Sequence, residues 1–313
     1  METQAVVLRG PHSLGLDRVH LDPPAETDVV VDILWSGIST GTERLLWSGR
    51  MPPFPGMGYP LVPGYESVGR IAQAGPQTGA AVGDLVFVPG ARCFGQLRGL
   101  FGGAAARLVV PATRITQIPE SLGEQAVLLA LAATAYHACV AADGSTPDLI
   151  VGHGVLGRLI ARIAVALGGT APVVWETSSV RAEGAQGYAV TQAGQDTRRD
   201  YGCIVDASGA PDLLDTLIAR LARNGEIVLA GFYEAPLTFA FPPAFMREAR
   251  IRVAAEWRSQ DMTTVVDLVA NGRLSLDGLI THRHSATHAP AAYDQAFGDP
   301  ACLKMVLNWS GMQ

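Results

Sequence analysis

The stretch DLIVGHGVLGRLIARIAVALG, residues 148–168, decides the fold. An apolar run from Leu149 to Val151 meets a turn holding Gly152, Gly154 and Gly157 in the spacing G-x-G-x-x-G. The turn opens a segment whose apolar residues recur at helical spacing. In a chain with 35 glycines the triplet alone would be weak. Its position after a strand and at the head of a helix is what a dinucleotide fingerprint requires. The first glycine permits the tight turn, the second lets a pyrophosphate approach the backbone, and the third lets helix and strand pack closely. The helix start presents free N–H groups and the positive end of its dipole. The expected cofactor contacts are therefore Gly152, His153, Gly154, Val155, Leu156 and Gly157, with His153 flanking the pyrophosphate. A purely structural strand–helix turn is the competing reading.

The next strand, APVVW, ends at Glu176. A carboxylate there accepts hydrogen bonds from the adenosine ribose and repels a 2′-phosphate, which favours NAD over NADP. Arg181 complicates that preference: it either stands near the adenine or pairs with a surface carboxylate. VDASG places Ala207 and Ser208, and AGF places Gly231, at the carboxyl ends of later strands. Small residues there let a cofactor lie over the sheet, or simply make tight turns.

Outward from this unit, strands and helices alternate from about residue 121 onward, as in a parallel, doubly wound sheet. Ser121 followed by Glu124 reads as a capping box opening a long Ala/Leu-rich helix. APDLLDTLIARLARNG reads as a helix stopped by Asn224–Gly225. Before residue 121 the chain is short apolar runs ended by glycine, an all-β module with long loops.

Composition excludes several classes. The chain has 313 residues, 48% hydrophobic and 17% charged, which suits two domains with large cores. Its net charge of −6 and lack of Lys/Arg runs argue against nucleic-acid binding. Cys93, Cys139, Cys203 and Cys302 are scattered, as expected for reduced thiols in a cytosol. METQAVVLRG lacks the apolar core of a signal peptide, and the most apolar stretch is broken by His153, Arg158 and Arg162. A cytoplasmic protein without stable membrane insertion is the expectation.

Four segments carry a family resemblance. GISTGTE (37–43) is similar to a zinc loop G-I-C-G-T-D, and PGYESVGRI (63–71) to a G-H-E-x-x-G-x-V segment. LALAATAYHA (129–138) is similar to the helix that bears a third ligand. Residues 279–307 are similar to a C-terminal pattern ending D-P-x-x-x-K-x-V-L. Together they resemble the medium-chain dehydrogenase/reductase superfamily over nearly the whole chain. The resemblance implies a GroES-like catalytic domain at 1–125, a Rossmann NAD-binding domain at 126–268, and a segment at 269–313 that returns to the first. It also implies a homodimer through the Rossmann sheet edge, supplied by EIVLAGF and IRVAAEW.

This chain departs from that pattern at the metal. Ser39 stands where the family has Cys, Tyr65 where it has His, and the third position falls near Ala130. The four-cysteine lobe is reduced to Cys93 in GARCFGQLRGLFGGAA. Zinc needs three or four converging Cys, His or carboxylate ligands, so no metal is expected. His282, His284 and His288 have metal-like spacing but read as a short exposed run.

The loop from Ser36 to Glu66 is most similar to a zinc-free branch that works on bacteriochlorophyll precursors. That resemblance implies NAD-dependent oxidation of the 3-(1-hydroxyethyl) group of a bacteriochlorophyllide to 3-acetyl. The substrate would be a hydrophobic Mg-tetrapyrrole, collected by transient visits to membranes. The alternative is a zinc-free NAD(P)H-dependent quinone or enone reductase of the same superfamily; Glu176 speaks against NADPH. A pigment carrier would have no use for the glycine fingerprint.

The candidate catalytic residues are Thr42, Tyr65, Glu66 and Ser39. By resemblance Thr42 meets the substrate alcohol; otherwise it caps a turn. Tyr65 would need a pKa well below its ordinary value of about 10 to act as a base, or it packs on the macrocycle. Glu66 matches the carboxylate behind the family's metal, and Ser39 fills the space of a thiolate. Glu43 reads as structural. Trp47, Met51, Phe54, Met57 and Tyr59 either line an apolar substrate cleft or form a satellite core. Arg44 and Arg50 either meet a propionate or stay solvated, and Trp257 is placed near the substrate by a looser match.

Overall fold

A computed structural model describes residues 1–53, 55–140 and 146–313. Phe54, expected on the substrate side, lies outside the described residues. The chain forms two compact units: Met1–Ala130 with Leu279–Gln313, and Leu131–Gly278. These divisions fall at 130/131 and 278/279, where the sequence reading put 125/126 and 268/269. The whole helix Ser259–Ala270 belongs to the second unit.

The second unit is built on a parallel six-stranded sheet. Its order is Ala189–Thr191, Val173–Trp175, Leu149–Val151, Tyr201–Asp206, Leu221–Leu229, Arg250–Val253. The inner strands are short apolar runs because both faces are covered. Leu149, Ile204, Leu217, Ile218 and Ile227 form the core on one side. The helix Val155–Ala166 buries Leu159, Ile160 and Ile163. Strand order reverses between Leu149–Val151 and Tyr201–Asp206, where doubly wound sheets bind ligands.

Two local expectations fail here. The helix Leu214–Arg220 ends before Asn224–Gly225, and the strand Leu221–Leu229 runs through that pair. Asn224 sits at φ 62°, and the register with Tyr201–Asp206 shifts there, so the pair makes a bulge. The helix stops because Arg220 is held by the carbonyls of Ala193 and Arg198 and Leu221 is fully buried. Nor is there a capping box at Ser121. Glu120–Leu128 is a 3₁₀ segment interrupted at Gly123, and the α-helix spans Leu129–Cys139. The Glu124 carboxylate is taken by Arg283, with Nη2 at 2.6 Å and Nε at 2.9 Å.

The first unit holds a seven-stranded sheet. Its path is Ile280–Ser285, Lys304–Asn308, Asp28–Ile38, Ser67–Ala74, Leu85–Val88, Thr116–Gln117, with Arg107–Pro111 also on Asp28–Ile38. A smaller sheet orders Ser13–His20, Glu2–Gly10, Leu61–Val62, Arg98–Gly99. The C-terminal strand lies antiparallel to Asp28–Ile38, with Met305 opposite Ile38. That register brings Lys304 to the end of the strand that leads into Ser39.

Candidate functional site

In the first unit, the loop after Asp28–Ile38 and the loop before Ser67–Ala74 bring Ser39 and Tyr65 together. The Tyr65 hydroxyl donates to Ser39 Oγ at 2.8 Å. Thr42, the first residue of the helix Thr42–Ser48, stands beside the Tyr65 phenol. Three of the four expected catalytic residues thus cluster, with one hydroxyl hydrogen bond, Tyr65 to Ser39, among them.

The fourth does not join them. Glu66 is fully buried, and its two oxygens lie 2.8 and 2.6 Å from Lys304 Nζ. Lys304 also donates to the Ile38 carbonyl at 3.2 Å. Both Glu66 oxygens are thus engaged by Lys304, which ties the C-terminal strand to the loop. Gly37 is required beside it, since a Cβ there would lie 2.1 Å from Glu66 Oε2.

Glu43 is buried too. Its Oε1 accepts the Ser39 N–H at 3.0 Å and its Oε2 accepts the Tyr293 hydroxyl at 2.6 Å. Burial pushes its pKa up to about 7, against the lowering by those two bonds. Burial, then the Glu66 charge, push the Tyr65 phenol far above its ordinary range. A raised pKa makes the phenol hold its proton more firmly, which favours a relay over a base at Tyr65.

The loop's large side chains follow the satellite-core alternative. Trp47, Met51, Met57 and Tyr59 pack against Leu8, Leu46, Leu61 and Leu100. Trp47 lies edge-on to His12 at 4.2 Å and tilted to Phe297 at 5.4 Å. Tyr59 donates to the Leu46 carbonyl at 2.5 Å. Arg44 and Arg50 are exposed, and Arg50 Nε donates to Ser48 Oγ at 3.2 Å.

In the second unit the glycine turn has the form of a phosphate cradle. Gly152 adopts φ 95°, which favours glycine. A Cβ on Gly157 would lie 1.9 Å from the Gly152 carbonyl, whereas nothing stands within 4 Å of one on Gly154. Gly154 caps the helix Val155–Ala166 without a side-chain hydrogen bond, leaving backbone N–H groups for an anion. Beside it, Asp206 gathers the Ser208 N–H and hydroxyl at 2.9 and 2.6 Å and the Tyr233 hydroxyl at 2.9 Å. Gly231 packs so closely that a Cβ would lie 2.7 Å from Gly209 N.

Glu176 accepts from Thr177 N and Ser178 N at Oε1, both at 2.8 Å, and from His153 N at Oε2, at 2.9 Å. A carboxylate offers about four lone-pair sites. One on Oε2 remains for a ribose hydroxyl. These features fit a dinucleotide.

The His153 ring turns into the fold. Its side chain is fully buried, with Nδ1 2.6 Å from the Arg181 carbonyl and Nε2 2.7 Å from the Tyr188 hydroxyl. Desolvation lowers its pKa to about 4. Trp257 is half-buried after the edge strand Arg250–Val253.

Sequence reading missed Arg158, Tyr188, Asp206, Tyr293 and Lys304. The available signal was a charge on the apolar face of a helix, Arg158, and the lysine of the C-terminal motif, Lys304. The tail histidines do not converge: His282 faces Asp299 at 3.4 Å and His284 faces Gln295 at 2.8 Å. Among the described residues no three His, Cys, Asp or Glu side chains gather as metal ligands, and no helix is long and apolar enough to cross a membrane.

Residues 25–120 match the alcohol dehydrogenase GroES-like domain family. The chain is 57% identical over 310 residues, 99% of both chains, to the 2-desacetyl-2-hydroxyethyl bacteriochlorophyllide A dehydrogenase of Rhodobacter capsulatus. It is 56% identical, again over 99% of both, to the enzyme of that name from Cereibacter sphaeroides. Among solved structures, an Escherichia coli alcohol dehydrogenase complexed with NADH covers 98% of this chain and 99% of its own, with TM-score 0.83 and 22% identity. L-idonate 5-dehydrogenase from Escherichia coli covers 98% of each chain, with TM-score 0.86 and 19% identity.

Proposed function

Since the chain belongs to the bacteriochlorophyllide dehydrogenase family of the medium-chain dehydrogenases, we propose that it oxidises the 3-(1-hydroxyethyl) group of a bacteriochlorophyllide to 3-acetyl with NAD and without zinc. The observation that carries this reading is the 57% identity spanning 99% of both chains. One alcohol and NAD give one ketone, NADH and a proton.

A bound nicotinamide would supply the acceptor for the hydride of the carbinol carbon. The chain's own residues hold the dinucleotide and deal with the proton. Gly152–Gly157 and the helix start take the pyrophosphate, and Glu176 takes a ribose hydroxyl, which disfavours a 2′-phosphate. Thr42 accepts the alcohol's hydrogen bond. Thr42 would hand its proton to Tyr65, Tyr65 its own to Ser39 Oγ at 2.8 Å, and Ser39 its hydroxyl proton to water, so that the one proton released by the reaction leaves the site. A hydroxyl chain relays a proton but stores little charge. The substrate compensates: its carbinol carbon is attached to a conjugated macrocycle that spreads positive charge as hydride leaves, so a full alkoxide is not required. A catalytic zinc otherwise supplies this by lowering the pKa of a bound oxygen, for water down to about 7.

The test supplies NAD and a 3-hydroxyethyl bacteriochlorophyllide to chelator-washed protein and follows the macrocycle absorption together with NADH formation. Coupled changes support the reading. Reduction of quinones with NADPH in place of this reaction overturns it, and stoichiometric zinc in the active protein overturns the metal-free part. A solvent isotope effect larger than that of deuterating the carbinol carbon would contradict the proposed order of hydride and proton loss. The pigment reaches the enzyme by transient membrane contact, and two copies pair through the sheet edge Arg250–Val253.

A further inference from the structure

The helix that opens at the glycine fingerprint carries a buried cation at its first turn. Arg158 is 5% exposed. Its Nε donates to the His153 carbonyl at 3.0 Å, and its Nη2 donates to the carbonyls of Arg181 at 2.9 Å and Glu183 at 2.7 Å. Its Nη1 donates to the Gly184 carbonyl at 3.2 Å. One guanidinium thus gathers the carbonyls of the fingerprint and of the segment that follows Glu176.

His153 makes the same connection from the other side. A carbonyl only accepts, so the short contact with the Arg181 carbonyl puts the proton on Nδ1. Nε2 then accepts from Tyr188. The backbone N–H of His153 completes the link by donating to Glu176 Oε2 at 2.9 Å. Gly184 adopts φ 81°, and a Cβ there would stand 2.5 Å from Arg158 Nη1. The turn is shaped to let the guanidinium in.

Burying an arginine and a histidine costs desolvation, and packing alone would be served by an apolar side chain on this helix face. What the two residues add is a fixed spacing between the phosphate cradle and the carboxylate that meets the ribose. We propose that Arg158 and His153 are positioning residues for the dinucleotide, holding Glu176 and the segment 177–184 in the shape that receives the unphosphorylated adenosine ribose. This rests on the reading of the glycine turn and Glu176 as an NAD site, and it places part of the cofactor preference in buried residues that never touch the cofactor.

The experiment measures equilibrium binding of NADH and NADPH by fluorescence, without substrate, for wild type, Arg158→Met, Arg158→Lys, Gly184→Ala and His153→Phe. Thermal unfolding of each is followed in parallel. The expected result is an NADH Kd raised about tenfold or more in Arg158→Met, through lost preorganisation. The ratio of NADPH to NADH Kd should fall toward one, and Arg158→Lys should not rescue it. Gly184→Ala leaves every charge in place, so it reports on clamp geometry if Arg158→Met proves too unstable to assay. Folded variants whose Kd values and ratio match wild type overturn the proposal, as does a lowered melting temperature with an unchanged ratio. A wild type that prefers NADPH overturns the NAD reading instead, and the variants then still report whether the clamp governs affinity.

Discussion

At the scale of single residues, the proposed hydroxyl relay makes the sharpest claim. Tyr65 keeps its proton, so it serves as a link, and Tyr65→Phe should break the link without emptying the site. A lost proton relay costs about 10²–10⁴ in rate. The expected outcome is a fall in kcat of that order with NADH affinity unchanged; steady-state kinetics and a binding titration check it, and an unaltered kcat sinks the relay. Glu43 gives a second prediction, in pH. Its pKa stands at about 7 in the fold against an ordinary 4.5. Between those values the folded chain holds a proton that the unfolded chain has lost, so stability falls as pH rises from about 4.5 to about 7. The difference amounts to about 3 kcal/mol at about 1.4 kcal/mol per pH unit. His153 acts in the other direction. Its pKa is about 4 against 6.5, so it stays neutral in the fold and stability falls as pH drops from about 6.5 toward 4. The two effects oppose each other in wild type. Glu43→Gln removes one, and urea unfolding at pH 5 and pH 7.5 should show the variant gaining on wild type as pH rises. Parallel behaviour would mean that Glu43 does not titrate. Ser39, Tyr65 and Thr42 were legible in the sequence because they stand in a recognisable motif. That Tyr65 is a link, that Glu66 is sealed by Lys304, and that Glu43 meets Tyr293 depend on contacts across more than two hundred positions of chain, or on burial.

At the scale of elements, the glycine turn was readable and the helix ends were not, for one physical reason. The fingerprint is local: the close approach of Gly157 to the Gly152 carbonyl is made within six residues. Gly157→Ala should therefore force the turn apart, since its Cβ would lie 1.9 Å from that oxygen. The expected loss is about tenfold or more in NADH affinity, from the displaced helix start; a titration matching wild type would contradict it. Ser121–Glu124 and Asn224–Gly225 carry equally good local signals, but tertiary partners override them. Arg283 takes Glu124, and the neighbouring strand turns Asn224–Gly225 into a bulge. The C-terminal strand Lys304–Asn308 makes the same point about its own docking. Lys304 is 1% exposed and Glu66 fully buried, so Lys304→Met leaves an unpaired buried carboxylate. Breaking such a pair from one side costs about 3–5 kcal/mol, while replacing both partners costs far less. Urea unfolding should show Lys304→Met well below wild type and Glu66→Gln/Lys304→Met recovering most of the loss. A double variant as weak as the single one would show that the strand's packing, and not the ion pair, was damaged.

At the scale of the whole molecule, the class and the alternation of elements are legible in the sequence, because hydrophobic periodicity reports on burial throughout a chain. What such periodicity does not report is which surface another copy covers. The strand Arg250–Val253 ends its sheet, and among the described residues no further strand pairs with its outer backbone groups. An open edge of this kind is a template for another strand. Ile251 and Val253 alternate onto one face and are 37% and 72% exposed. Phe241, Phe245 and Met246, on the helix that precedes this strand, are 67%, 64% and 71% exposed. Large apolar side chains this bare and this close in one element pair are unusual on a monomer's surface. Two copies related by a two-fold axis would pair the edge with itself and cover both patches at once. Val253→Lys places a charge on that edge, and Phe245→Glu places one in the patch. Light scattering should give wild type the mass of a dimer at micromolar concentration and each variant the mass of a monomer, with NADH affinity retained because neither residue belongs to the glycine turn. Wild type that runs as a monomer removes the proposal. Variants that stay dimeric move the interface elsewhere on the chain.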